Sequence, residues 1–261
     1  MGISGRAGGP CVGWVNSGRQ GFPPGVWRAY GHGVWTIRLG GDLMSRRPAR
    51  VLAGLVGALV VATVLVAPPA SAAVSAQSLL DDLTTSAESH TTTYDRDDFK
   101  HWVDADGDGC DTRAEVLKQE SSIATGHTGT CTITSGRWTS LYDAASFTSA
   151  GGLDIDHMVP LKEAWISGAW DWSATRREAY ANDLGYAKSL IAVSASSNRS
   201  KSDQDPDSWL PPDTSYRCEY VKEWIAVKWR WSLRIDSAEA SALRSGLSQC
   251  SSLSVDQPSK A

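Results

Sequence analysis

Apolar residues recur with two periods along residues 75–250 of the chain. Leu79, Leu80 and Leu83 lie at helical spacing and predict a helix within 75–89. Residues 112–119 read as a short helix. In "CTITSGRWTSLY", 131–142, apolar and polar positions alternate around Ser135-Gly136, which predicts a β-hairpin turning there. A strand over 153–159 follows, then a helix from about Leu161. "SATRREAYANDLG" predicts a helix that stops at Gly185, and "SLIAVS" a short apolar strand. Tyr220, Trp224, Val227 and Trp231 share one face of a predicted buried helix over 216–231. "DSAEASALRSGL" opens on a helix cap, Asp236, with Glu239 three residues later. No internal repeat is present. The fold class predicted is α+β, with short strands and several peripheral helices.

The N-terminal part does not fit this pattern. Residues 44–72 read "MSRRPARVLAGLVGALVVATVLVAPPASA". Arg46, Arg47 and Arg50 make a basic start, 51–67 is an uncharged apolar run, and Ala70-Ser71-Ala72 is a small-residue cleavage site. Those are the three parts of a secretory signal peptide. The alternative is a membrane anchor, but the run is at the short limit for spanning a bilayer, and Pro68-Pro69 follows it. A further 43 residues precede Met44 without clear periodicity, as a start codon placed too early would produce. The expected mature protein is therefore 73–261, a single secreted domain, monomeric and free of the membrane.

Cleavage changes the charge. Residues 1–72 hold seven of the 25 Lys and Arg and one of the 29 Asp and Glu. The remainder carries 18 basic and 28 acidic residues, a net of −10. An acidic surface argues against nucleic-acid binding, since phosphate affinity usually needs basic groups. Bound divalent cations could offset part of it. Four cysteines remain, Cys110, Cys131, Cys218 and Cys250, and an even number in an exported chain reads as two disulfides. Three connectivities are open; nearest-neighbour pairing is the simplest.

The chemistry concentrates in "DIDHMVPLKEAW", 154–165, and "SASSNRSKSDQDP", 194–206. Together with "DGDGCDTRAEVL" and "WLPP", in that order, these resemble the HNH, or ββα-metal, nucleases. The likeness is closest to the C-terminal domain of GmrSD-type restriction endonucleases, which also occurs in secreted actinobacterial proteins, and it covers about 94–212. The resemblance implies an HNH core over about 150–207, a nucleic acid substrate and a divalent metal, Mg²⁺ above all. Asp156 and Asn198 would bind the metal through oxygen, as hard cations prefer. His157 would activate water, because a neutral imidazole is a suitable base near pH 7. Arg199 and Lys201 would hold phosphate oxygens. Asp154, on the same strand face as Asp156, is a second candidate ligand, and Glu163 either orients the site or faces solvent. The chain departs from the superfamily where an Asn often precedes the second strand. Ser189 stands there, with Asn182 earlier. Ser202 stands where Gly is common.

"DADGDGCDTRAE" offers a separate cation site. Asp104, Asp106, Asp108 and Glu115 occupy positions 1, 3, 5 and 12 of a calcium loop, with Gly109 at position 6. A solvated acidic turn would look the same, and the resemblance allows a third reading in which Arg113 and Glu115 point at the active site. Two functions from different classes follow. One is a secreted metal-dependent endonuclease acting on DNA or RNA. The other is a non-enzymatic calcium-binding secreted or cell-envelope module. A hydrolase of another polymer using paired carboxylates finds no isolated pair.

Overall fold

The computed structural model describes residues 73–261. The expected signal peptide and the residues before it lie outside the described residues. No helix among the described residues is long and apolar enough to cross a membrane.

The fold is α+β. The chain runs β1 (Ala73–Ser75), α1 (Ala76–Asp81), α2 (Thr112–Glu120), β2 (Gly126–Thr128), β3 (Thr132–Thr139), β4 (Ser146–Ser149), β5 (Leu153–His157), α3 (Leu161–Ile166), α4 (Ala174–Ala181), β6 (Leu190–Ser194), α5 (Ala195–Lys201), α6 (Arg217–Trp231), α7 (Ser237–Ser248) and β7 (Ser254–Asp256). The strands form three small sheets, β1–β7, β2–β3–β4 and β5–β6. Several helix starts are set locally. Asp111 accepts the Ala114 N–H at 2.8 Å, and Asp236 accepts those of Ala238 and Glu239 at 2.6 and 2.9 Å.

β5 and β6 pair antiparallel, Leu153 opposite Ser194 through His157 opposite Leu190. Directly opposed residues share a face, so the pair has two different sides. Leu153, Ile155, Leu190 and Ala192 pack with Leu117, Ile133 and Trp138 from α2 and β3. Ile191 and Val193 join the larger core, which holds Tyr220, Trp224 and Val227 of α6 and Leu243 and Leu247 of α7. Asp154 and Asp156 share that second side, where α5 also packs. A two-stranded unit alone is marginal in water; burial on both sides is what holds it.

Four predicted boundaries differ. α4 stops at Ala181, short of Gly185, and β5 ends at His157, short of 159. The first helix ends at Asp81, because the chain beyond it pairs with 235: Thr85 bridges Ile235, and Ser86 donates to the Ile235 carbonyl at 2.9 Å. The hairpin does not turn at Ser135-Gly136. β3 is continuous there, and the turn to β2 falls at 129–131 around Gly129, whose φ is +58°. Gly136 serves packing instead. A Cβ there would lie 2.4 Å from the Trp138 ring, and that buried indole donates to the Leu117 carbonyl at 2.9 Å.

Disulfides join Cys110 to Cys131 and Cys218 to Cys250. The first ties the loop before α2 to the start of β3. The second ties α6 to the second residue after α7.

α5 is short and held at both ends. Ser194 caps it, and Asp143 accepts from the hydroxyls of Ser194 and Ser197. At the other end Ser202 has φ +52° and ψ −129°, a conformation glycine adopts far more readily. Left-handed backbone costs a non-glycine residue about 1–2 kcal/mol, and glycine loses about 0.5–1 kcal/mol through the unfolded chain. Ser202→Gly is therefore expected to stabilise the fold by roughly 0.5–1 kcal/mol. Urea denaturation measures this; an unchanged or lower midpoint would show that Ser202 is not strained.

Candidate active site

A cavity of about 410 Å³ opens where the end of β5 meets α5. Its lining includes Asp156, His157 and Asn198, with the cations Arg96, Lys162 and Arg199 at its walls. The three residues expected to act together thus face one space. Their convergence follows from topology: β5 ends at His157, and the turn from β6 into α5 brings Asn198 back over β5.

His157 is buried, and Nε2 lies 2.9 Å from the Ala181 carbonyl at the end of α4. A carbonyl only accepts, so Nε2 carries the proton and Nδ1 keeps its lone pair in the neutral ring. The ring is flanked by Trp102 and Tyr180, with centroids 5.8 and 6.3 Å away. Burial, against the opposing Ala181 bond and aided by the positive charge of Arg96, pushes the His157 pKa down to about 3. The imidazole is therefore neutral at ordinary pH.

Asn182 follows Ala181 directly. It accepts from the Val103 N–H and the Thr112 hydroxyl at 3.1 and 2.8 Å and donates to the Lys100 and Glu178 carbonyls, both at 2.8 Å. It pins the segment that carries Trp102 to the end of α4, beside the carbonyl that orients His157. Ser189 instead donates to Asp183 at 2.6 Å, and its carbonyl accepts from the Met158 N–H at 2.9 Å.

The Asp156 carboxylate is buried and uses Oδ2 twice, accepting from Lys201 Nζ at 2.7 Å and from the Tyr142 hydroxyl at 2.5 Å. Among the described residues Oδ1 accepts no hydrogen bond. Burial pushes the Asp156 carboxyl up and the Lys201 ammonium down, and their mutual attraction opposes both shifts. Asn198 Nδ2 donates to Asp154 Oδ2 at 3.2 Å, which leaves its carbonyl oxygen available. One carboxylate oxygen and one amide oxygen make a hard-donor pair. They fit a Mg²⁺-type ion that keeps several waters, and they do not fit a thiolate-loving one. Asp154 orients Asn198, and Arg199 lies 3.9 Å from it, largely exposed.

Several expected residues lie elsewhere. Lys201 is fully buried and does not reach the cavity; it donates to Asp156 and to the His157 carbonyl at 2.9 Å. That geometry corrects the phosphate role read from its place beside Arg199. Glu163 neither faces solvent nor lines the cavity, because Lys228 and Ser167 hold it in the core at 2.7 Å each. Arg113 donates to the carbonyls of Ala150 and Leu153 at 3.3 and 2.9 Å, and Glu115 accepts from Lys118 at 2.7 Å. Neither is among the residues of the cavity lining. Asp104, Asp106 and Asp108 bring carboxylate oxygens within 4.8 Å of one another, without Glu115 in the group. Sequence reasoning missed Arg96 and Tyr94, which line the cavity from "YDRDD". That stretch reads as a polar connection, and no local periodicity marks it as part of the site.

The family model for GmrSD restriction endonucleases, C-terminal domain, matches residues 111–245. The chain belongs to that family. The match takes in β5, β6 and α5, and continues through α6 into α7, while the loop 104–109 lies outside it. A protein of Arthroderma benhamiae described as an uncharacterized secreted protein is 45% identical over 183 residues, which cover 70% of this chain and 88% of that protein. No solved structure matches. Membership of a family named for restriction endonucleases makes this a nuclease-like chain, and its two disulfides fit an oxidising, extracellular setting.

Proposed function

We propose that this protein is a secreted, metal-dependent HNH endonuclease that hydrolyses phosphodiester bonds of DNA or RNA. The observation that carries the reading is the meeting of Asp156, His157 and Asn198 in one cavity walled by Arg96 and Arg199. In this reading β5, β6 and α5 are the ββα core, and 73–261 is exported after cleavage of the 44–72 signal peptide. Asp156 and Asn198 would hold a divalent cation through oxygen, Mg²⁺ in the first instance, and that cation would supply stabilisation of charge on the phosphate and the leaving oxygen. His157 Nδ1 takes the proton of the attacking water, while the bond from Nε2 to Ala181 fixes the ring. Arg96 and Arg199 bind phosphate oxygens at the wall. The local cations answer the objection from the acidic net charge, since substrate meets the cavity rather than the average surface.

The test is degradation of plasmid DNA and of RNA by the purified protein in Mg²⁺ or Mn²⁺, with EDTA as control. Cleavage that EDTA stops is expected, and Asn198→Ala should lower cation affinity and rate together. A protein that cuts neither polymer in either cation would end the endonuclease reading. Parental activity of Asn198→Ala at limiting Mg²⁺ would remove Asn198 from the ligand set.

The non-enzymatic calcium-binding reading keeps one supporting observation, the convergence of Asp104, Asp106 and Asp108. Asp104 also accepts from the Gly107 and Gly109 N–H groups at 2.8 and 3.0 Å, shaping the loop around the three carboxylates. Ca²⁺ is expected to raise thermal stability, by ~1.4 kcal/mol at tenfold excess over Kd. Asp104→Ala should abolish the rise and Asp156→Asn should keep it. If Asp104→Ala retains the full rise, the loop binds no calcium.

A further inference from the structure

The geometry points to Lys201 as a built-in counter-cation that sets how tightly the cavity holds a divalent ion. This inference rests on reading the cavity as a cation site. Lys201 ends α5 with a fully buried side chain, and its ammonium sits 2.7 Å from Asp156 Oδ2. It also donates to the His157 carbonyl at 2.9 Å. The rings of Trp224 and Tyr142 stand 5.9 and 6.0 Å from Nζ, within the range of cation–π attraction. Tyr142 adds a second donor to the same carboxylate oxygen. A long, flexible side chain is thus held at one point by a salt bridge, a carbonyl and two aromatic faces.

Two consequences follow for the cation. With Oδ2 engaged twice, Asp156 offers Oδ1 alone and binds as a single-oxygen ligand. The carboxylate's charge is also already matched by Lys201, so Asp156 and Asn198 present a donor pair without net charge. A divalent ion on Oδ1 lies within several ångströms of the ammonium, at a distance where like charges repel strongly in a part-buried site. The ion pair therefore preserves the ligand pose before any cation arrives and weakens the hold on the cation once it has arrived. A lysine that served only as a strut would do the first and not the second.

Calorimetric titration of the protein with Mn²⁺ separates these roles. Comparison of parent with Asp156→Asn defines the binding that belongs to the cavity; if the two bind alike, the cation-site reading itself fails. Given that binding, Lys201→Met is expected to lower the Asp156-dependent Kd on the order of tenfold, while its thermal midpoint in EDTA falls below the parent's. Unchanged or weaker Mn²⁺ affinity in Lys201→Met overturns the inference and leaves Lys201 a strut. If Lys201→Met does not fold in EDTA, refolding with saturating Mn²⁺ decides. Recovery of the native circular dichroism shows the ion standing in for the ammonium, and failure to recover overturns the inference.

Discussion

His157→Ala is expected to lower the cleavage rate by about 10², the low end of a general base's contribution, because the depressed pKa makes the neutral ring a weaker proton acceptor. His157 lines the cavity with Nδ1 unprotonated, and the Ala181 carbonyl it contacts belongs to a different element from Asp156 and Asn198. The change therefore removes the proposed base without touching Asp156 or Asn198. It leaves the Ala181 carbonyl without its partner, at a cost of about 1–3 kcal/mol, so the variant should fold with a lowered midpoint. Single-turnover cleavage at saturating Mg²⁺ reads the loss, and circular dichroism checks the fold. A folded variant that cuts at the parental rate removes His157 from catalysis.

The pH dependence of the same residue has a definite sign. Burial lowers the folded-state pKa from 6.5 to about 3, so the unfolded chain binds more protons between those values. The stability tied to the neutral ring is present above pH 6.5 and is lost as pH falls toward 3. Over that range the parent should lose more stability than His157→Ala. The parental cleavage rate should show no acid limb centred near 6.5, and such a limb would contradict a buried neutral ring.

What could be read from the chain was what neighbouring residues decide. The α6 helix declares itself through Tyr220, Trp224, Val227 and Trp231, and α7 through Asp236 and Glu239, because period and cap act within a few residues. That Asp156 and Asn198 line one cavity is legible only through the order of motifs, since they stand 42 positions apart. Lys201 and Glu163 were misplaced for one reason. A charged side chain in a polar stretch is read as exposed until its partner is known, and the partners of these two come from β5 and α6. Ser135-Gly136 misled because a glycine that accommodates Trp138 looks like one that makes a turn. Arg96 reaches the cavity from a segment that has neither period nor motif.

The buried charge on α6 has the largest consequence for stability. Lys228 is fully buried, and its ammonium donates to Glu239 at 2.6 Å, Glu163 at 2.7 Å, and Ser167 and the Arg234 carbonyl at 3.0 Å each. Trp224 donates to the other Glu239 oxygen at 2.6 Å. Lys228→Ala would leave two carboxylates in the core without a counter-charge. Breaking a buried pair in this way costs about 3–5 kcal/mol, a large share of a typical domain's 5–15 kcal/mol. Burial pushes the Glu239 carboxyl up to about 7, with Lys228 opposing and Glu163 adding to the rise. The folded state therefore holds more protons than the unfolded chain between pH 4.5 and 7, and that part of the stability fades as pH rises through the window. Without Lys228 the Glu239 carboxyl loses the charge that opposes its rise, so the penalty should be largest at pH 8 and smaller at pH 5, where Glu239 takes a proton. Urea denaturation at both pH values measures it. A loss below about 1 kcal/mol at pH 8 would mean that water reaches the carboxylates and that the network is not the sealed core these contacts describe. The combined variant Glu163→Gln, Lys228→Met and Glu239→Gln removes every charge at once. It should recover most of what Lys228→Ala loses, because the cost lies in the unpaired carboxylates and not in the absence of the salt bridge.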